Sequence, residues 1–183
     1  MRRRDFLKGF AALYAARTRG LPPLTIREVK VFALSPGGRG RWVLVKIQTS
    51  EPGLYGIGSA SNFYQPFTVA TAIEKHLGPF WVGKNADRIE DLWQSTHVRS
   101  YWRNSTILNN AIAALDVALW DIKGKRAGMP VYELLGGKAR DAVALYAHAD
   151  GRDLQEVEQN VRQYVEEGYR HVRRRWEATA AAG

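Results

Sequence analysis

The residues available for chemistry exclude thiols, because none of the 183 residues of this chain is a cysteine. Disulfides and thiolate metal sites are therefore ruled out. Two acidic residues, Asp116 and Asp121, stand close together in the sequence. At a spacing of five residues they do not share one face of a helix, so we interpret them as solvated or structural side chains. We predict no metal ligands within the chain.

Polar residues also stand at the ends of two predicted strands. Residues 142–148 form an apolar run typical of a buried strand, and the run ends at His148. Residues 153–167 carry apolar residues at helical spacing, and an extended run over residues 171–173 ends at Arg173. A strand, a helix and a strand form the opening of a βαβ unit. An α/β domain would therefore begin near residue 140.

Three earlier segments predict a sheet. Residues 24–34, 41–49 and 54–60 have the β-branched content of strands, and turns rich in glycine and proline separate them. Strands joined by short turns form an antiparallel meander. Gly56 and Gly58 in the third strand indicate that another part of the backbone approaches it closely.

Helices follow the predicted sheet. Residues 68–77 and 107–126 carry apolar residues at three- and four-residue steps, and the second segment ends at Gly128. Small alanines in this second helix would let a neighbouring element come close. Another helix would be capped by Asp87, with Glu90 three residues on, as in a capping box. Strands first and helices second predict an α+β domain with the helices packed on one sheet face.

The net charge of +9 is concentrated at the two ends of the chain. Residues 1–20 hold six arginines and lysines against one aspartate, and residues 170–183 hold four arginines against one glutamate. A protein that binds nucleic acid is expected to carry a basic stripe on its folded body, which here is almost neutral. We therefore exclude nucleic acid as a partner. No apolar run reaches the ~20 residues of a spanning helix, so we predict no membrane span.

One long segment resembles a family signature. The run AIAALDVALWDIKGK at residues 111–125, followed by PVYELLG at residues 130–136, is similar to the signature of the mandelate racemase/muconate lactonizing enzyme family of the enolase superfamily. IEDLWQ at residues 89–94 and YWR at residues 101–103 resemble its mannonate and galactonate dehydratase-like members. The resemblance implies an α+β capping domain, with a three-stranded antiparallel meander and a helical bundle. The first βαβ unit of a truncated (β/α)₈ barrel would follow it.

The resemblance also implies a reaction. Members of the family abstract a proton beside a carboxylate and stabilise the resulting enolate with Mg²⁺, a cation that prefers oxygen ligands. The ligands usually stand at the ends of the third, fourth and fifth barrel strands, whereas this chain has only two predicted barrel strands. It would thus be the inactive N-terminal part of a Mg²⁺-dependent sugar-acid dehydratase, a lyase, which as a full-length enzyme forms homo-oligomers. A non-catalytic binding or oligomerisation module, or a racemase or cycloisomerase of the same superfamily, stays open.

Three residues receive roles from the resemblance alone. His148 lies where dehydratase-like members place a histidine that faces the substrate, and Arg173 lies where they place an arginine near the catalytic tyrosine. Asn62 falls in the loop of residues 61–64, which corresponds to the family's specificity loop, and could bind substrate through its amide. The alternatives are a partly exposed loop histidine at His148 and a plain loop asparagine at Asn62.

Both ends of the chain carry further predictions. The run RRDFLK at residues 3–8 resembles the twin-arginine motif and implies export to the periplasm; the alternative is a disordered basic start of a cytoplasmic protein. From about residue 174 the sequence departs from the family pattern. A shift of reading frame at the Trp176 codon could restore Val-Gly-Gly-Tyr-Gly, so we interpret this tail as aberrant. We divide the chain into a signal (1–20), a capping domain (21–138) and a truncated barrel start (139–183).

Overall fold

The computed structural model describes residues 23–35, 42–62, 64–101 and 103–174. The strands are β1 (Ile26–Leu34), β2 (Trp42–Thr49), β3 (Tyr55–Ser59), β4 (Tyr146–His148) and β5 (His171–Arg173). The helices are α1 (Pro66–Ala72), α2 (Gly78–Trp81), α3 (Ile89–Arg99), α4 (Thr106–Ala127), α5 (Val131–Leu134) and α6 (Leu154–Glu166), and a π-helical turn (Ile73–Leu77) joins α1 to α2. The chain separates into two compact units between Gly137 and Lys138. No helix in these ranges is long and apolar enough to cross a membrane.

The sheet of the first unit is the predicted antiparallel meander, with strand order β1-β2-β3. Central strand β2 alternates, so that Val43, Val45 and Ile47 are fully buried while the residues between them are partly exposed. Val45 pairs with Val31 on one side and with Gly58 on the other. This period of two turns one sheet face toward the helices and leaves the other toward solvent.

The longest helix, α4, packs directly on edge strand β3. A Cβ atom at Gly56 would overlap the carbonyl of Ala118, and one at Gly58 would overlap the carbonyl of Ala114. Both alanines are fully buried. The predicted close approach is confirmed: glycines on the strand and alanines on the helix bring the two backbones into contact.

Hydrogen bonds and ion pairs fix the ends and flank of α4. The Ser105 hydroxyl accepts the Leu108 N–H at 3.5 Å, and the helix stops at Gly128, whose φ of 64° favours glycine. Asp121 accepts the Ile57 N–H of edge strand β3 at 2.9 Å and the Lys125 ammonium at 2.7 Å. Asp121 is therefore structural, as predicted, because its carboxylate satisfies a donor on an open sheet edge.

Asp116 is the other acid of the predicted pair, and it lies half-buried on α4. Burial, and in second place the negative charge of Glu90 on α3, raise the pKa of the Asp116 carboxyl. The structure therefore gives the two acids different surroundings, since Asp121 lies against a strand and Asp116 lies near an acid of another helix.

Three predictions about single elements were wrong in detail. Asp87 does not cap α3, which begins at Ile89 without a side-chain cap, because the Asp87 carboxylate instead accepts the Arg126 guanidinium at 2.7 Å. The helix predicted over residues 68–77 continues to Trp81 through the π-helical turn. The strand predicted over residues 142–148 covers only its last three residues, and the apolar residues before it are exposed.

The second unit is a short βαβ motif. β4 and β5 pair in parallel, and α6 connects them and packs against β5. Asp153 caps α6 by accepting the Glu156 N–H at 2.8 Å, which agrees with the helix predicted over residues 153–167. The α+β order, with a meander, helices and then a parallel strand pair, is the predicted cap followed by a barrel start. The predicted export signal lies outside the described residues, and so does the tail predicted to be aberrant from about residue 174, apart from Arg174 itself.

Candidate functional site

The second unit brings two of the three predicted site residues together. In the parallel pairing of β4 and β5, His148 lies directly across from Arg173. The next backbone group along, the Ala149 N–H, donates to the Arg173 carbonyl at 3.0 Å and extends the pairing by one residue. His148 and Arg173 are therefore neighbours at the carboxyl ends of adjacent parallel strands. In barrels and open α/β sheets this end of the strands carries the active site.

His148 and Arg173 also share one face of the strand pair. Side chains alternate along a strand, so Tyr146 and His171 lie on the same face as His148 and Arg173, and all four are exposed. Ala147 points to the opposite face and is only 8% exposed. The rings of Tyr146 and His148 are in contact, with centroids 5.0 Å apart. The outcome is an open polar face of two histidines, a tyrosine and an arginine.

Tyr146 and His171 were missed by the sequence-based prediction. The signal that could have found them was present, because each strand has a polar residue on either side of a small or apolar one, as in Tyr146-Ala147-His148. Residues that are two positions apart in a strand point to the same face of the sheet. The strand prediction over residues 142–148 obscured this by treating the run as uniformly buried.

The loop after His148 is tied to α6 by several contacts. The Asn160 side chain donates to the Asp150 carbonyl at 2.6 Å. A Cβ atom at Gly151 would lie 2.7 Å from the Val157 nitrogen, so only glycine fits the close approach. These contacts hold the backbone that leads away from His148, and the orientation of the strand end depends on them.

Arg152 and Glu156 close the same loop. The Glu156 carboxylate accepts the Arg152 N–H at 2.9 Å and its guanidinium at 3.0 Å. Hydrogen bonds from the backbone and then from the side chain of Arg152 lower the pKa of Glu156. Glu156 therefore stays ionised and has a structural role. Its carboxylate is occupied by Arg152.

Asn62 lies in the first unit, in the loop that follows β3, whereas His148 and Arg173 belong to the second. Its amide oxygen accepts the Tyr64 N–H at 3.1 Å and the Gln65 N–H at 2.9 Å. Such a turn commits the oxygen to the backbone and leaves the amide nitrogen to donate. Ser61 anchors the same loop, since its hydroxyl accepts the Val43 N–H at 3.3 Å.

Metal ligation is not supplied by the described part of the chain. Within residues 23–35, 42–62, 64–101 and 103–174, no three histidine or acidic side chains are grouped closely enough to hold a metal ion. The residues present therefore do not form a site that fits Mg²⁺. The strand-end face is instead suited to anionic and hydroxyl-bearing groups, because arginine binds carboxylates through two parallel hydrogen bonds.

Comparison with known proteins gives a family match over most of the chain. Residues 21–136 match the N-terminal domain of the mandelate racemase/muconate lactonizing enzyme family. A D-galactonate dehydratase family member of Musicola paradisiaca is 55% identical over 150 residues, which cover 82% of this chain and 36% of that protein. A second family member, from Enterocloster bolteae, is 54% identical over 150 residues and is covered to 37%.

A solved structure extends the comparison to three dimensions. It is an enolase from Pantoea ananatis with bound D-gluconate and Mg, 53% identical, with a TM-score of 0.79 over 83% of this chain and 36% of its own. The chain thus spans a little over a third of the length of the relatives it matches.

Proposed function

The chain belongs to the mandelate racemase/muconate lactonizing enzyme family, and from that membership we propose that it forms the N-terminal part of a sugar-acid dehydratase. The reaction removes the proton beside the substrate carboxylate and expels the hydroxyl group on the next carbon. Two relatives carry a dehydratase family name, and a third was solved with D-gluconate bound. These names and that ligand support an aldonic acid as the substrate class.

The observation that carries the proposal is the pairing of His148 with Arg173 at one end of the parallel strands. Arg173 is the catalytic residue of the pair. Its fixed positive charge stabilises negative charge that develops at the reacting end of the substrate. In the family the same position lies near a catalytic tyrosine, and a guanidinium there lowers the pKa of that phenol, so that the tyrosine can act as a base. His148 binds the substrate, because its imidazole can donate to or accept from a sugar hydroxyl.

Asn62 is proposed as a second substrate contact, from the loop after β3. Its oxygen holds the turn, so its amide nitrogen is the group that donates to a substrate hydroxyl. An aspartate in its place would keep the turn, because a carboxylate oxygen accepts the same two N–H groups, but it would lose the donor.

Mg²⁺ belongs to the proposal through one relative, the Pantoea ananatis enolase, which was solved with Mg bound. The ion stabilises the negative charge that develops on the substrate carboxylate during proton abstraction. The described residues hold no group of ligands for it, so the proposal places those ligands in the part of the full-length enzyme that the match does not cover. The 183-residue chain alone is accordingly expected to turn over no sugar acid.

A chimeric enzyme tests the proposal. Residues 21–173 of this chain replace the matching stretch of the Pantoea ananatis enolase, whose remaining sequence is kept, and the parent enzyme sets the reference turnover. We expect the chimera to dehydrate D-gluconate or another aldonic acid in a Mg²⁺-dependent way, and the 183-residue chain to be inactive. A folded chimera without turnover beside an active parent would contradict the proposal, and turnover by the chain alone would contradict the placement of the ligands.

A further inference from the structure

A cleft in the first unit is lined by none of the strand-end residues discussed above. It has a volume of about 680 Å³, within the range of small-molecule sites. The π-helical turn and α2 form one wall, the end of α3 forms the other, and Leu108 of α4 forms the floor. Among the described residues, the titratable ones that line it are Lys75, His76 and Arg99, and none is acidic.

The cations of the cleft lack acidic partners within the described part of the chain. No ion pair found there involves Lys75 or Arg99, whereas Lys125 and Arg126 on α4 each pair with a carboxylate. Lys75, His76 and Arg99 are exposed and so can be reached from solvent. The C-terminal carbonyls of α3 offset part of the charge of Arg99, but Lys75 and His76 lie on the opposite wall. The cleft therefore has an excess of positive charge.

Arg99 is held in place by an aromatic ring. Its guanidinium lies 4.4 Å from the centroid of the Phe80 ring, and the Lys84 ammonium lies 4.3 Å from the same centroid. Each contact is a cation–π interaction, which orients the cation without neutralising it. Phe80 lines the cleft as well. The ring therefore positions a guanidinium that keeps its charge available to a ligand.

The opposite wall has an unusual backbone. The Gly78 N–H bonds to the Ile73 carbonyl, five residues earlier, which makes the segment from Ile73 to Leu77 a π-helical turn. Such a turn inserts one extra residue into a helix, shifts the direction of the side chains in it, and is found frequently at functional sites. Lys75 and His76 are the residues it carries into the cleft wall.

We propose that this cleft binds a small oxyanion, a phosphate or carboxylate group of a metabolite. The Arg99 guanidinium provides a two-pronged contact to such a group, Lys75 provides charge from the facing wall, and the His76 ring there can donate a hydrogen bond. Ser100 also lines the cleft, and its hydroxyl donates to the Thr96 carbonyl at 2.9 Å, which leaves its oxygen able to accept a hydrogen bond. The residues that line it include none of the proposed dehydratase residues.

Titration of the 183-residue chain with inorganic phosphate at constant ionic strength tests the site, followed by amide chemical shifts. Chloride is the non-specific control, and D-gluconate is the carboxylate arm. We expect saturable shifts at the backbone amides of cleft residues such as Leu77, Ser100 and Leu108. Tighter binding of phosphate than of gluconate assigns a phosphate site, and the reverse assigns a carboxylate site.

Two double variants with equal loss of charge separate specific binding from general attraction. Lys75→Ala with Arg99→Ala removes two cations from the cleft, and Arg27→Ala with Lys30→Ala removes two from exposed positions on β1. We expect the cleft variant to bind the anion at least about tenfold more weakly, as for loss of charge-assisted hydrogen bonds, and the β1 variant to bind as the wild type does. Circular dichroism checks that both variants fold, and Arg99→Gln, which keeps polarity and size, replaces the double variant should it not fold.

The proposal would be overturned by any of three results. These are the absence of saturable shifts in the wild type, shifts that lie outside the cleft, and equal weakening in the two double variants. Arg173→Ala distinguishes this site from the strand-end site, because it should leave the cleft shifts unchanged while strongly lowering turnover in the chimera.

Discussion

Substitution of Gly58 by alanine tests the contact on which the first unit depends. The new Cβ atom would overlap the Ala114 carbonyl oxygen and lie 2.8 Å from its carbon, against an ordinary contact distance of 3.4 Å or more. Both obstacles are backbone atoms, so α4 must move away from β3 by roughly 1 Å or more. We expect the free energy of unfolding to fall by about 3 kcal/mol, which combines overpacking with strain on the Asp121 to Ile57 hydrogen bond.

Gly53→Ala is the matched control for that substitution. Gly53 has a φ of 79°, and a Cβ atom added there would meet nothing within 4 Å, so alanine at this position introduces backbone strain without a clash. Its cost should be about 1 kcal/mol. Urea unfolding followed by far-ultraviolet circular dichroism measures both variants. Equal costs at the two positions would refute the close backbone packing of α4 on β3.

Three further predictions concern single side chains and the N-terminus. Asp116→Asn should raise stability at neutral pH, because burial and Glu90 raise the pKa of this carboxyl above its ordinary value of 3.8. The native state then binds more protons than the unfolded state, so the stability of the wild type falls as pH rises through the raised pKa. The gain of the variant should therefore vanish in acid, which thermal unfolding at several pH values would show. Asp121→Ala should cost about 1–2 kcal/mol in urea unfolding, since it leaves the edge-strand N–H without its acceptor, while Asp121→Asn should cost less; equal costs would count against that hydrogen bond. Residues 1–20 fused to a folded reporter should direct twin-arginine export, and replacement of Arg3 and Arg4 by lysine should stop it; a reporter that stays in the cytoplasm in both cases would contradict the signal.

A close backbone approach at β3 was predictable because it depends on residue size. Gly56 and Gly58 indicate that approach and the alanines of a helix permit one, whereas the pairing of β3 with α4, which is distant in sequence, came from the structure. The period-two pattern of β2 and the stop at Gly128 were predictable for local reasons. These last two features need no knowledge of partners distant in sequence.

Features that depend on distant partners were not predictable. Asp87 has the position and type of a helix cap, but the Arg126 guanidinium, 39 residues away in sequence, binds its carboxylate instead. The π-helical turn at Ile73–Leu77 leaves no pattern that differs from an ordinary helix. The contact of Asp87 with Arg126 is a tertiary effect that overrides local preference.

The candidate site was predicted in part. His148 and Arg173 were named from their positions at strand ends and from the family resemblance, and their direct pairing across β4 and β5 came from the structure. Tyr146 was missed because its strand was predicted too long and too buried, and His171 was missed although its strand was predicted with the observed bounds. The oxyanion cleft could not be predicted, since its cations come from segments that the fold alone brings together.

Release of deuterium from C2 of labelled D-gluconate, catalysed by the chimera with and without Arg173→Ala, tests the central claim most directly. The label leaves the substrate only when the proton beside the carboxylate is abstracted. We expect Mg²⁺-dependent release by the unsubstituted chimera and a rate lower by about 100-fold or more in the variant, the range for loss of a group that assists proton transfer. Release at an equal rate in the folded variant would contradict the role of Arg173 and, with it, the assignment of the strand-end residues to catalysis.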